Sequence, residues 1–129
     1  MLDLTNENTA YRLGRLFSAL EKIQEEASPG LNATIRDRFY GAASSTPVAV
    51  FTSLLRLKNA HLKKLAIGRG TWFEKLLGEI LGAVSDFPAH LTLQDQGRFA
   101  LGYYHQRQAF FTKNEFTTST ESTTEGAAK

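Results

Sequence analysis

The stretch Leu91 to Gln108, LTLQDQGRFALGYYHQRQ, sets two glycines and an alanine inside an apolar pattern of helical period. Each glycine costs roughly 1 kcal/mol against alanine in a helix interior. A helix that keeps Gly97, Ala100 and Gly102 therefore needs the close approach of another backbone or of a partner. Thr92 is its expected N-cap, with Asp95 three residues on as capping-box partner. Leu93, Gly97, Ala100, Leu101 and Tyr104 recur at helical spacing and Phe111 extends the stripe, so this face is expected to turn inward. Nothing in the segment has catalytic logic. It reads as a recognition and packing element.

The remainder also follows a helical period. A first helix is expected from about Thr5 to Ala27, with Leu13, Leu16, Phe17, Leu20, Ile23 and Ala27 on one stripe. Ser28-Pro29-Gly30 stops it, because proline disfavours helix in its predecessor and glycine terminates. Asn32 is placed to cap a second helix to about Ser44, burying Ile35, Phe39 and Ala42. Thr46-Pro47 opens a third, with proline where its missing N–H costs nothing. Its inward arc is expected to carry Val48, Phe51, Leu55, Leu62 and Leu65. Gly68-Arg69-Gly70 reads as a turn, and Thr71-Trp72-Phe73-Glu74 as the capping box of a fourth helix burying Phe73, Leu76, Leu77, Ile80, Leu81 and Val84. Asp86-Phe87-Pro88 ends it, and the fifth helix begins near Thr92. No stretch alternates with period two. The expected fold is an all-α bundle of about five helices over residues 1–111. The Ser/Thr-rich tail, 112–129, with eight Ser or Thr in 18 residues, is expected to be disordered.

Composition narrows the function classes. The chain has 129 residues, enough for one domain that buries on the order of two-thirds of its unfolded surface. Cysteine is absent, which excludes disulfides, thiolate metal sites and thiol nucleophiles, and a cytoplasmic protein is the simplest reading. Asp3, Glu7, Arg12 and Arg15 exclude an apolar signal-peptide core, and the longest uncharged run contains Pro47, so no membrane partner is expected. His61, His90 and His105 lie in different elements without ligand spacing. Gly68-Arg69-Gly70 lacks a Walker lysine and a preceding strand. Glu21, Glu25 and Glu26 read as a solvated helix end. No metal, cofactor or enzymatic activity is expected.

The electrostatic signal is local. The net charge is +2, yet residues 36–69 hold seven Lys or Arg against one acid, Asp37. Arg56, Lys63, Lys64 and Arg69 are expected to line one ridge, with Lys58 second to them. Few acids interleave, so these cations are not spent on i,i+4 pairs and suit phosphate contacts. Against this stands an ordinary solvated face. Arg36 and Arg38 lie about 200° apart on a helix, so they cannot share a face. Arg12 and Arg15, one turn apart, form a smaller candidate patch or simply the exposed side of an amphipathic helix. Tyr104 is expected in the core. Tyr103, offset by about 100°, is a candidate for base stacking or for a neighbouring subunit's pocket. Arg98 and Arg107 belong to either surface, and Trp72 is expected as a core or interface anchor.

Three segments carry a resemblance: AYRLGRLFSALEKIQEEASPGLNATIRDRFYGAAS, FEKLLGEILG and FPAHLTLQDQGRFALGYYHQRQAFF. Together they resemble the C-terminal helical region of the large subunit of type I-C CRISPR Cascade, which is similar to the small, belly subunits of other Cascades. In that family a separate small subunit arises from an internal start, and a chain helical soon after Met1 would look like such a product. The resemblance implies a non-catalytic small subunit in antiviral defence. Its implied partners are the CRISPR large subunit, repeated backbone subunits, guide RNA, target DNA and further copies of itself. The basic residues would then hold the guide–target duplex or the displaced strand by phosphate contacts, leaving sequence reading to the guide. The alternative is a structural wedge between subunits that touches no nucleic acid. A free-standing helix-turn-helix regulator is weakened by the lack of a compact helix pair with a basic second helix.

Overall fold

The structure, a computed structural model, describes residues 1–31 and 34–124, with side chains through Thr112. Five helices follow in order: α1 (Thr9–Ala27), α2 (Ile35–Ser45), α3 (Pro47–Leu62), α4 (Ile67–Leu81) and α5 (Leu93–Thr124). There is no strand among the described residues, and none of their helices is long and apolar enough to cross a membrane. The expectation of a disordered tail over 112–129 falls mainly outside the described side chains; the helical backbone of α5 is assigned to Thr124.

α1 begins where Asn8 Oδ1 accepts the Tyr11 N–H at 3.0 Å, one turn after the start expected at Thr5. It ends at Ser28, before Gly30 takes a φ of 81°. Leu13, Leu16, Phe17, Leu20 and Ile23 are all buried, as their spacing requires. So are Arg15, Ser18, Glu21 and Gln24, because α1 is the central rod against which each of the other four helices packs. A single apolar stripe on the sequence thus underestimates how much of this helix lies inside.

The tightest packing is between α1 and α5, and glycine makes it possible. A Cβ on Gly14 would overlap the Phe99 carbonyl oxygen and lie 2.7 Å from the Tyr103 backbone nitrogen. One on Gly102 would overlap the Tyr11 carbonyl oxygen. The two backbones therefore touch through reciprocal bare positions. Gly97, by contrast, faces open space. This crossing fixes the rotation of α5, whose inward arc is Phe99, Gly102, Tyr103, Gln106 and Phe110. The expected arc points out instead: Leu93, Leu101, Tyr104 and Phe111 are 85%, 54%, 47% and 49% exposed. Tyr104 is therefore not core, and Tyr103 is.

Phe17 sits at the centre of an aromatic cluster, with ring centroids 5.6 Å from Tyr40, 5.9 Å from Tyr103, 6.1 Å from Phe99 and 6.3 Å from Phe51. The contacts to Tyr40 and Phe51 are edge-on and those to Phe99 and Tyr103 tilted; such aromatic pairs add roughly 0.5–1.5 kcal/mol each beyond area burial. Three smaller corrections concern caps and faces. Thr34, with Asp37, forms the capping box of α2, and Asn32 lies outside the described residues. Ala43, rather than Ala42, is the buried alanine of α2. On α3 the buried set is Pro47, Val50, Phe51 and Leu54, while Val48 lies off this arc and stays 42% exposed, its N–H donating to the Pro88 carbonyl at 3.0 Å. Phe87, from that same loop, stacks on Phe51 at 5.4 Å.

α4 starts at Ile67, so Gly68-Arg69-Gly70 is its first turn and Thr71 is not a cap. The propensity cost of two glycines is offset by tertiary contacts: Gly70 is buried near the Leu62 carbonyl, and Arg69 is locked onto α1.

The α1–α5 crossing makes a direct prediction. Gly14→Ala and Gly102→Ala should each destabilise by about 1–3 kcal/mol or more, because backbone must move. Gly97→Ala should stabilise by about 0.5–1 kcal/mol. Urea unfolding of the three variants gives the comparison, and equal effects at all three positions would contradict the crossing.

Candidate nucleic-acid interface

α3 buries one side against α1 and α2 and leaves its outer side to solvent. Arg56 is exposed on that side. Lys63 is the C-cap residue, followed by Lys64 in the turn; Lys63 and Lys64 reach solvent at this end of the helix. Cations at a helix C-terminus oppose the partial negative charge of its free carbonyls. Among the described residues, no carboxylate lies within 4 Å of Arg56, Lys63 or Lys64. Burial, then the Lys64 ammonium, lowers the His61 pKa. Lys58 stands apart: half-buried, its Nζ donates to Asn59 Oδ1 at 3.0 Å, and it lines a small cleft with Leu20, Ile35 and Leu54.

Arg69 does not join this edge. Its Nε and Nη2 donate to Glu26 Oε1 and Oε2 at 2.8 and 2.6 Å, and the guanidinium lies over Trp72 and Phe73 at 4.7 and 4.6 Å. The hydrogen bonds to Glu26 raise its pKa further. It is a clamp between α1 and α4. Glu26, half-buried, is accordingly not part of a solvated acidic end, and Glu21 is buried; Glu25 alone of the three is exposed. Neither partner is visible locally, since 43 residues separate Arg69 from Glu26.

The remaining candidates are dispersed. Arg15 is buried, its Nε donating to Gln106 Oε1 at 2.9 Å, so Arg12 and Arg15 form no exposed patch; Arg12 is half-buried. Arg36 donates to the Tyr104 hydroxyl at 2.9 Å and lies 5.5 Å from the Tyr103 ring, whereas Arg38 is exposed beside Phe39. Arg98 pairs with Asp95 at 2.7 Å, and Arg107 covers Phe111. Trp72 is half-buried, packed on Phe73 and Phe110.

Tyr103 is fully buried, which removes it from base stacking; its hydroxyl donates to Glu21 Oε1 at 2.6 Å. Burial, with the hydrogen bond and the Glu21 charge, pushes this phenol far up. Burial also raises Glu21, partly opposed by the Tyr103 hydrogen bond. A second polar link joins the same helices: Asp3 N–H donates to the Tyr11 hydroxyl, whose oxygen lies 2.8 Å from His105 Nδ1. With that oxygen already accepting, Tyr11 is free to donate to the ring.

Comparison with known proteins supplies the class. The family model described as CRISPR-associated protein (Cas_Csd1) matches residues 1–111. The chain therefore belongs to that CRISPR-associated family and is a type I-C Cascade-related subunit. No curated protein matches it. The family match ends at the last residue of the expected helical domain.

The Glu21–Tyr103 pair predicts a pH signature. A carboxyl held above 4.5 in the native state binds more protons there than unfolded, so its contribution falls as pH rises from 4.5 through the raised value. Glu21→Gln keeps an oxygen acceptor for Tyr103 and removes this slope. Its stability relative to wild type should therefore climb as pH rises from 4.5 through the raised value, by up to about 1.4 kcal/mol for each pH unit that separates the two, and level off above it. A pH-independent difference in urea unfolding would refute the assignment.

Proposed function

We propose that this chain is the non-catalytic small subunit of a type I-C-like CRISPR-guided surveillance complex. It supports the guide RNA–target DNA duplex, or the displaced strand, through sequence-independent phosphate contacts. The observation that carries this reading is the edge at the end of α3. There Arg56, Lys63 and Lys64 reach solvent, and no carboxylate among the described residues stands within 4 Å of them. Cations left unneutralised by their own fold attract a polyanion and release its counterions, giving salt-sensitive affinity without base readout. Lys58 ranks second, because it is half-drawn into the body of the protein. Arg69 is left out, because its guanidinium is already held by a carboxylate.

Family membership supports assembly with the large subunit and the repeated backbone subunits of a Cascade-type complex. In that setting base pairing with the guide reads the sequence, and a helical brick need only hold backbone in place. A structural wedge remains the second reading, favoured by the exposed outer stripe of α5: Leu93, Leu101, Tyr104 and Phe111. The two readings use different faces, so variants separate them.

In the assembled complex, the Arg56→Ala, Lys63→Ala, Lys64→Ala variant should fold and co-purify but bind target DNA more weakly. Its log–log salt slope should fall by about 0.9 for each duplex phosphate that is no longer neutralised, or about 0.7 on a single strand. Unchanged affinity and slope would sink the phosphate-binding reading. Failure to co-purify would instead favour the wedge.

A further inference from the structure

A cavity of about 320 Å³ opens between α1, α4 and α5, with Leu2 and Leu4 of the segment before α1 also on its wall, and none of the α3-edge cations lines it. Leu76 and Phe110 supply apolar wall, and the chain's single tryptophan, Trp72, lines it too. Into this wall is set one buried cation. Arg15 is only 6% exposed, and its Nε–H is taken by Gln106 Oε1. Among the described residues nothing is hydrogen-bonded to its two terminal amino groups, and no carboxylate lies within 4 Å of it. Burial lowers its pKa, the signature of a charge taken from water without full compensation. The two terminal amino groups are not sealed inside protein, since the buried side-chain atoms left without a partner among the described residues are Arg12 Nε and Ser18 Oγ; they open into the cavity, where a counter-charge can meet them.

We propose that this cavity is a docking site for a carboxylate side chain, carried next to an apolar residue on a partner polypeptide. The guanidinium offers a carboxylate two further amino groups in a planar fork, the geometry of a bidentate pair. Lys75, exposed at the lining, adds a second positive charge. The apolar wall takes the neighbouring side chain of the same segment. Phosphate fits less well. A strongly hydrated, multiply charged group gains little from Leu76 and Phe110, and Glu79, which also lines the cavity, repels it more than it repels a singly charged carboxylate. Glu79 lies more than 4 Å from Arg15, near enough to interact with its charge but not to neutralise it. The site does not depend on the phosphate-binding reading of α3.

Trp72 is a built-in reporter, because no other tryptophan contributes to the emission. The full chain is titrated with 3-phenylpropionate, with its uncharged isostere 3-phenylpropanamide, and with inorganic phosphate. The carboxylate should give a saturable Trp72 change and bind at least about tenfold more tightly than either comparison ligand. Arg15→Met should weaken it by about tenfold or more, and Lys75→Met by only a few-fold, as expected for a buried against a rim charge. Glu79→Gln should tighten it. Lys75 and Glu79 are surface positions, so their variants decide the matter even if Arg15→Met fails to fold. Equal binding of the amide would reduce the site to an apolar slot, and tighter phosphate binding would make it a phosphate seat. Either result, or unchanged binding in both rim variants, overturns the proposal.

Discussion

Backbone contact between α1 and α5 at Gly14 and Gly102 is the constraint on which the rest of the structure depends. Each glycine leaves space for the other helix's carbonyl, so neither can be replaced without moving the pair. With the two rods in contact, α5 has one available rotation, and Phe99, Tyr103 and Phe110 must enter the core. Phe17 on α1 then meets rings from α2, α3 and α5 at once. The propensity lost at two glycines is small beside the aromatic burial it permits.

A central helix buried on nearly every side must also bury polar groups, and this one satisfies most of them across helix pairs. Glu21 accepts from Tyr103, Arg15 donates to Gln106, and Gln24 accepts the Ile35 N–H that opens α2. Such bonds contribute only about 0.5–1.5 kcal/mol each, but leaving one partner alone inside costs more. They therefore specify register. Among the described residues the unsatisfied buried side-chain atoms are Arg12 Nε and Ser18 Oγ.

The same logic sorts the cations. Arg69 and Arg98 pair with carboxylates, and Arg15 and Arg36 each donate a hydrogen bond to a neutral acceptor, while among the described residues no carboxylate lies within 4 Å of the exposed Arg56, Lys63 and Lys64. An unevenly charged chain can therefore present a small cationic edge on a net charge of only +2. The phosphate-binding role proposed for that edge is in keeping with membership in a CRISPR-associated family.

Local chemistry was legible in the chain. Pro47 at the start of α3, the Ser28-Pro29-Gly30 stop and the Thr92 cap, whose hydroxyl accepts the Asp95 N–H at 3.0 Å, act within one turn and were readable as such. So were the α1 stripe and the exposure of Arg56, Lys63 and Lys64. The face of α5 was not, because two arcs on that helix both carry apolar residues at helical spacing, and only the glycine on α1 selects between them. The start of α4 and the fate of Arg69 were equally hidden. Glu26 stands 43 residues away, and an ion pair formed by folding leaves no periodic trace. Caps and breakers are written in neighbours; rotation, pairing and burial are decided by what arrives from elsewhere in the chain.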